Sequence, residues 1–115
     1  MKKLVLLLSL LLTLLLCTVA HATGGIAINE TNFPDANFRA YCLEEPWGAD
    51  GVLSQSDVPT ITNMYLKDKG IASLEGIQYF TALTILVCDS NQLTELDVSG
   101  LTALELLDCG QNQLT

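Results

Sequence analysis

Outside its first two dozen residues the sequence has no histidine, and bases are few throughout. The single histidine, His21, falls within the opening stretch MKKLVLLLSLLLTLLLCTVAHA, and five Lys and Arg stand against 13 Asp and Glu. With no histidine downstream, a Ser-His-Asp or Cys-His relay cannot be assembled and no imidazole can hold a metal, which excludes the commonest hydrolase and metalloenzyme designs. Lys2 and Lys3 also lie in the opening stretch. The remainder keeps Arg39, Lys67 and Lys69 against all 13 acids, a formal charge of −10, which argues against nucleic acid phosphates as a partner. Carboxylates are plentiful, but nothing in their spacing places two of them in one pocket for acid–base work.

The opening stretch has the order of a secretory signal. Lys2 and Lys3 supply the positive start, an uncharged leucine-dominated run follows from Leu4 to about Ala20, and Ala20-His21-Ala22 forms a small-x-small cleavage pattern. Residues 1–22 are therefore expected to be removed, leaving a mature chain of 93 residues that starts near Thr23 and is exported to the medium or the cell surface. That length suits a modest single domain. An uncleaved membrane anchor is the alternative, although the run is short for a spanning helix of ~20 residues. Any membrane contact is expected through this segment alone. Lipidation at Cys17 is a further reading, against which Leu16 occupies the place where such signals want a small residue.

Downstream, the chain writes one line twice. Leu83, Leu86, Cys88, Asn91 and Leu93 match Leu104, Leu107, Cys109, Asn112 and Leu114, each pair 21 residues apart. A looser copy, ITNMYLKDKGI, stands 22 residues upstream, with Ile61, Met64, Leu66 and Ile71 at the apolar places and Lys69 at the asparagine place. The shared frame L-x-x-L-x-C-x-x-N-x-L resembles the leucine-rich repeat. More closely, GIASLEGIQYFTAL resembles repeats of bacterial internalin-type surface proteins, and NQLTELDVSGLTAL the short 21-residue bacterial subclass. The resemblance spans residues 61–115, about two and a half repeats in an array that reads as truncated. It implies an α/β-type solenoid, a right-handed coil with a short parallel sheet and an N-terminal helical cap.

In Ile85-Leu86-Val87-Cys88-Asp89 a short strand points Leu86 and Cys88 inward and Ile85, Val87 and Asp89 outward. Asparagine suits the place after the strand, because the chain turns there and its amide can bond backbone groups that the turn leaves unpaired. Lys69 cannot accept such bonds, so the first copy is expected to turn differently. The second halves, Leu74, Ile77 and Phe80 in one copy and Leu96, Val98 and Leu101 in the next, return the chain and close the core. One coil cannot bury these faces alone, so stability must come from stacking.

Three cysteines remain beyond the signal. In an exported protein Cys42, Cys88 and Cys109 invite a disulfide plus one free thiol. Cys88 and Cys109, however, take equivalent inward places on neighbouring strands, where cysteine serves as a small hydrophobe. A buried, unbonded ladder is expected; a Cys-only zinc site usually needs four ligands.

Residues 23–60 carry no repeat and read as the cap. In NFPDANFRAYCLEE a short helix is expected, with Pro34 in its first turn, Asp35 at the positive end of the dipole, and Phe38, Tyr41 and Cys42 on one side. Trp47 is expected to plug the edge of the core. ADGVLSQSD resembles the end of an EF-hand-like calcium loop through Asp50, Ser54 and Asp57, but Pro46 and Gly48 stand where two ligands belong. The favoured reading is that Ser54 to Asp57 caps a short helix before Pro59, and no cofactor or resident metal is expected. Asn29-Glu30-Thr31 is a glycosylation sequon that reads as chance in a bacterial sequence. The span from INETNFPDANFRAY through DGVLSQSDV resembles the segment that precedes leucine-rich repeats in secreted bacterial proteins, and carries no catalytic residue.

The resemblance implies that outward strand residues form a concave binding face in three rows: Asn63, Ile85, Leu106; Tyr65, Val87, Asp108; and Lys67, Asp89, Gly110. Tyr65, Ile85, Val87 and Leu106 make either a protein-binding patch or mere stacking contacts, and Lys67 beside Asp89 is a cross-strand ion pair. The expected function is binding or adhesion to a protein or cell-surface ligand without catalysis. The alternative is a targeting module of a larger surface enzyme.

Overall fold

The structure, a computed structural model, describes residues 24–115. The expected signal, with Cys17 and His21, lies outside those residues. Among the described residues no helix is long and apolar enough to cross a membrane.

The segment before the repeats is built around one helix and one small sheet. Strand β1 (Ile26–Ala27) pairs antiparallel with β2 (Val52–Leu53), Ile26 opposite Leu53. Asn29 of the sequon makes the turn after β1, its side-chain oxygen accepting from the N–H groups of Thr31 and Asn32. Helix α1 (Ala36–Glu44) follows. Pro34 stands outside it, contrary to the sequence expectation, because Asp35 takes the N-cap: its backbone is extended, and Oδ1 accepts from the N–H groups of Asn37 and Phe38 at 3.0 Å each. Its Oδ2 accepts from Ala72 N–H at 2.9 Å and Ser73 N–H at 3.2 Å. A single carboxylate thus starts the helix and fastens it to the first repeat. Phe38 and Cys42 are buried and Tyr41 half-buried.

After β2, the expected helix before Pro59 is a 3-10 turn, Val58–Thr60, that contains Pro59. Asp57 N–H donates to Ser54 Oγ at 3.1 Å, and that hydroxyl donates back to Asp57 Oδ2 at 2.7 Å. The exchange has the form of a capping box but closes only the turn before the helix: the N-cap is Asp57, whose side chain makes no capping bond, so the expected Ser54 cap is not formed. Pro59 is tolerated because the first helical N–H groups have no intrahelical partner.

Strands β3 (Asn63–Tyr65), β4 (Ile85–Val87) and β5 (Leu106–Asp108) form a parallel sheet in that order. Asn63 pairs with Ile85 and Ile85 with Leu106, and Tyr65 pairs with Val87 and Val87 with Asp108, the rows that repeat spacing predicts. Alternation sends Met64 and Leu86 into the core. Their equivalent in β5, Leu107, is 39% exposed.

The turn after each strand passes through a left-handed residue, Asp68 (φ 54°), Ser90 (φ 58°) and Gln111 (φ 51°). The first copy therefore starts its turn as the others do, and differs only afterwards, where Gly70 adds a second left-handed step at φ 65°. The backbone around Lys69 is bonded by the next copy: Asn91 Oδ1 accepts from the N–H groups of Lys69 and Ile71 at 3.0 Å each, and Asn91 Nδ2 donates to the carbonyls of Leu66, Cys88 and Asp89. Asn112 repeats the pattern one copy later, accepting from Leu93 N–H and donating to the carbonyls of Cys88, Cys109 and Gly110.

The return paths close the core. Leu74, Ile77, Phe80 and Leu101 are buried, while Leu96 and Val98 are half-buried. Phe80 lies where the helical segment meets the repeats, its ring centroid 5.4 Å from Trp47, 6.3 Å from Phe33 and 6.5 Å from Phe38. Gly76 (φ 110°) admits this packing, since a Cβ there would stand 2.4 Å from Phe33 Cδ1.

Candidate binding face and cysteine pair

The outward residues of β3 to β5 lie side by side as three rows. Tyr65 and Leu106 are 55% and 48% exposed, and between them Ile85 and Val87 are half-buried. Asn63 is exposed at the end of the first row, where Thr84 Oγ1 donates to its side-chain oxygen at 3.5 Å. Asp108 ends the second row, exposed, with Oδ1 accepting from Gly110 N–H at 3.2 Å. In the third row Lys67 Nζ is 3.4 Å from Asp89 Oδ2, a pair whose lysine side chain is 67% exposed and whose aspartate is 13% exposed. The lysine end is well solvated, so the pair contributes at most ~1 kcal/mol. Asp89 Oδ1 is buried with no hydrogen-bond partner among the described residues. The sheet and the turns after its strands therefore bring together all eight residues singled out on this face in the sequence, and they present apolar surface with one exposed carboxylate, Asp108, that meets no base among the described residues.

The weak calcium candidates bond within their own loop, each aspartate side chain through one oxygen. Asp50 Oδ1 accepts from Val52 N–H at 3.1 Å, and Ser54 and Asp57 bond each other. Among the described residues no group of three or more His, Cys, Asp or Glu is placed to hold a metal ion. On the opposite side, a groove between two return paths has Leu74, Ile77 and Leu96 in its lining together with polar residues that include Glu75, Glu95 and Asp97. There the hydroxyl and N–H of Ser99 bond Asp97 and hold its carboxyl below the ordinary value.

Cys42, Cys88 and Cys109 are all free thiols. Asn112 Nδ2 donates to the carbonyls of Cys88 and Cys109 at 3.0 and 3.1 Å, which holds the two residues at matching places on neighbouring coils. Cys88 is buried as expected; Cys109 is only half-buried, a correction whose cause is that no coil lies over its far side among the described residues. Burial raises the Cys42 and Cys88 thiols from 9.0 to about 12. Because the folded values are the higher ones, the protonated thiols contribute stability that is whole below pH 9 and is lost as pH rises toward 12. At pH 8 a thiol reagent is expected to modify Cys109 of the native protein at least tenfold faster than Cys42 or Cys88, and all three equally in denaturant. A reducible Cys88–Cys109 bond would refute this.

No family model matches the sequence. A stretch of 68 residues, 58% of the chain, is 36% identical to Internalin J of Listeria monocytogenes serotype 4b (strain F2365). The chain spans 7% of that curated relative's length. Among solved structures, an internalin (inlF) from the same strain is 31% identical with a TM-score of 0.61, the match covering 79% of this chain and 27% of that one. The functional domain of InlJ from Listeria monocytogenes, which includes a cysteine ladder, is also 31% identical, with a TM-score of 0.51 over 79% of this chain and 25% of that one. Three parallel strands in the register of a 21-residue frame, an asparagine bonding backward after each of the last two, and likeness to internalins in both sequence and backbone make this an internalin-like bacterial leucine-rich repeat protein.

Proposed function

We propose that the chain is a secreted or cell-surface module that binds a protein or cell-surface ligand through the outward face of β3 to β5, and that it performs no chemistry. In this reading residues 1–22 are the export signal, 23–60 the N-terminal cap, and 61–115 about two and a half coils of a right-handed solenoid. The observation that carries it is the face itself: Tyr65 and Leu106 are held in water by an in-register sheet around Ile85 and Val87. Asn63, Lys67, Asp89 and Asp108 form its polar surround. Contacts of Phe33 and Phe38 with Phe80 support the cap, since they cover the first coil's apolar end. The matching places of Cys88 and Cys109 support reading them as rungs of a ladder like the one in the InlJ domain. The reading includes no cofactor, and the bonds of Asp50, Ser54 and Asp57 within their loop support a structural role for them.

The test is binding of the purified chain to a panel of intact cells. Tyr65→Ala is expected to weaken association roughly five- to thirtyfold, the range of an aromatic anchor, and Val87→Asp at least as much, with the native Trp47 emission retained. Equal loss from Glu75→Lys on the opposite side would count against the assigned face. A second reading, the targeting module of a larger surface enzyme, draws on the small share of Internalin J that the chain spans. A catalytic domain encoded downstream of Thr115 would favour it; further repeats alone would favour the binding module.

A further inference from the structure

The partner's chemistry follows from where the charges of this face are spent. Three bases lie among the described residues, and each is committed. Arg39 donates to the carbonyl of Phe33 at 2.8 Å, Lys69 Nζ sits 5.6 Å from the centroid of the Tyr41 ring, and Lys67 pairs with Asp89. The acids number 13 over the same residues, so the surface field is negative and attracts cations. On the outward face Asp89 is nearly covered and already paired. Asp108 is exposed beside Val87, bonds only the N–H of Gly110 through Oδ1, and meets no base among the described residues.

We propose that this face takes a protein segment in which a lysine or arginine stands next to an apolar side chain. The cation sits on Asp108 with its hydrocarbon stem over Val87, and the apolar neighbour packs on Tyr65, Ile85 and Leu106. The proposal rests on the binding reading above and adds the partner's charge to it. An acidic segment would meet the free carboxylate of Asp108 unpaired, a like-charge contact that disfavours it. A purely apolar segment would cover Asp108 and desolvate it without compensation. A basic segment relieves both costs, and the long stems of Lys and Arg are themselves suited to apolar surface.

A displayed random dodecapeptide library selected on the purified chain provides the probe. Recovered peptides are expected to place Lys or Arg beside Leu, Phe or Trp, and to lose binding to the Tyr65→Ala chain. Against Asp108→Asn they should bind about three- to fivefold more weakly, the size of an exposed charge pair, and against Asp108→Lys more weakly still. Asparagine keeps the oxygen that accepts from Gly110 N–H, so the turn is preserved and the loss reports charge. Weakening by added salt should be steeper for the parent chain than for Asp108→Asn. Peptides that need Tyr65 but carry no excess of bases, or bind Asp108→Asn unchanged, overturn the charge assignment and leave the face intact. Peptides indifferent to both Tyr65→Ala and Val87→Asp overturn the face as well.

Discussion

Asn91→Ala is expected to destabilise the protein by about 4 kcal/mol, enough to remove much of the stability of a domain that has only ~5–15 kcal/mol. Asn91 is buried, and its amide serves five backbone groups on two coils. Two of the five keep another partner when it is cut away: Cys88 carbonyl still accepts from Asn112, and Asp89 carbonyl from Asp68 N–H. The N–H groups of Lys69 and Ile71 and the carbonyl of Leu66 have no replacement in this turn, and each buried group left unpaired costs roughly 1–3 kcal/mol. Lys69 is exposed and recovers part of its loss from water, which sets the middle of the range. Asn112→Ala, at a half-buried position, is expected to cost under about 2 kcal/mol because water reaches the same groups. Urea unfolding of the two variants checks this; equal losses would mean that burial, the feature that separates the two sites, does not control the effect.

Phe80→Ala has the second large effect, about 3–5 kcal/mol, the usual cost of emptying a buried aromatic site. Phe80 is fully buried and touches Trp47 from the helical segment together with Phe33 and Phe38. Its removal withdraws the ring on which Trp47 packs edge-on, so tryptophan emission should shift to the red before global unfolding begins. Phe80→Leu retains most of the volume and should cost under about 1.5 kcal/mol. A loss below about 1 kcal/mol in Phe80→Ala would show that the helical segment and the repeats do not share one core.

These two positions also mark what was legible in the sequence and what was not. Phe80 was readable as a core residue, because the second half of each coil repeats its apolar places. The strand register was readable for a similar reason: equal spacing of Leu86 and Leu107 leaves no other way to stack the inward residues. Asn91 is legible as a turn residue, but its bonds to the coil before it carry no local signal, since Lys69 and Leu66 lie 22 and 25 residues away. The same holds for Asp35, whose local role at the head of a helix was visible while its grip on Ala72 and Ser73 arises only from tertiary contact. Strands β1 and β2 carry no sequence signal, because two residues each are too few for alternation to register. Cys109 was expected buried by analogy with Cys88, yet equivalence in sequence grants equivalent burial only where each coil has a neighbour on both sides. The outward face was legible as positions; its free carboxylate emerged only when the bonds of all three bases were known.

The backward reach of Asn91 gives the array an arrow. A coil's turn is completed by its successor, so the order of dependence runs opposite to the order of synthesis. Removing a coil from the C-terminal side takes away the amide that the preceding turn relies on, whereas the leading coil has no predecessor to serve. That asymmetry bears on Lys69: at the head of the sequence of coils an asparagine would have no earlier turn to complete and would keep only the bonds to its own turn that Asn91 and Asn112 also make, and the place holds instead a residue that lies over the Tyr41 ring.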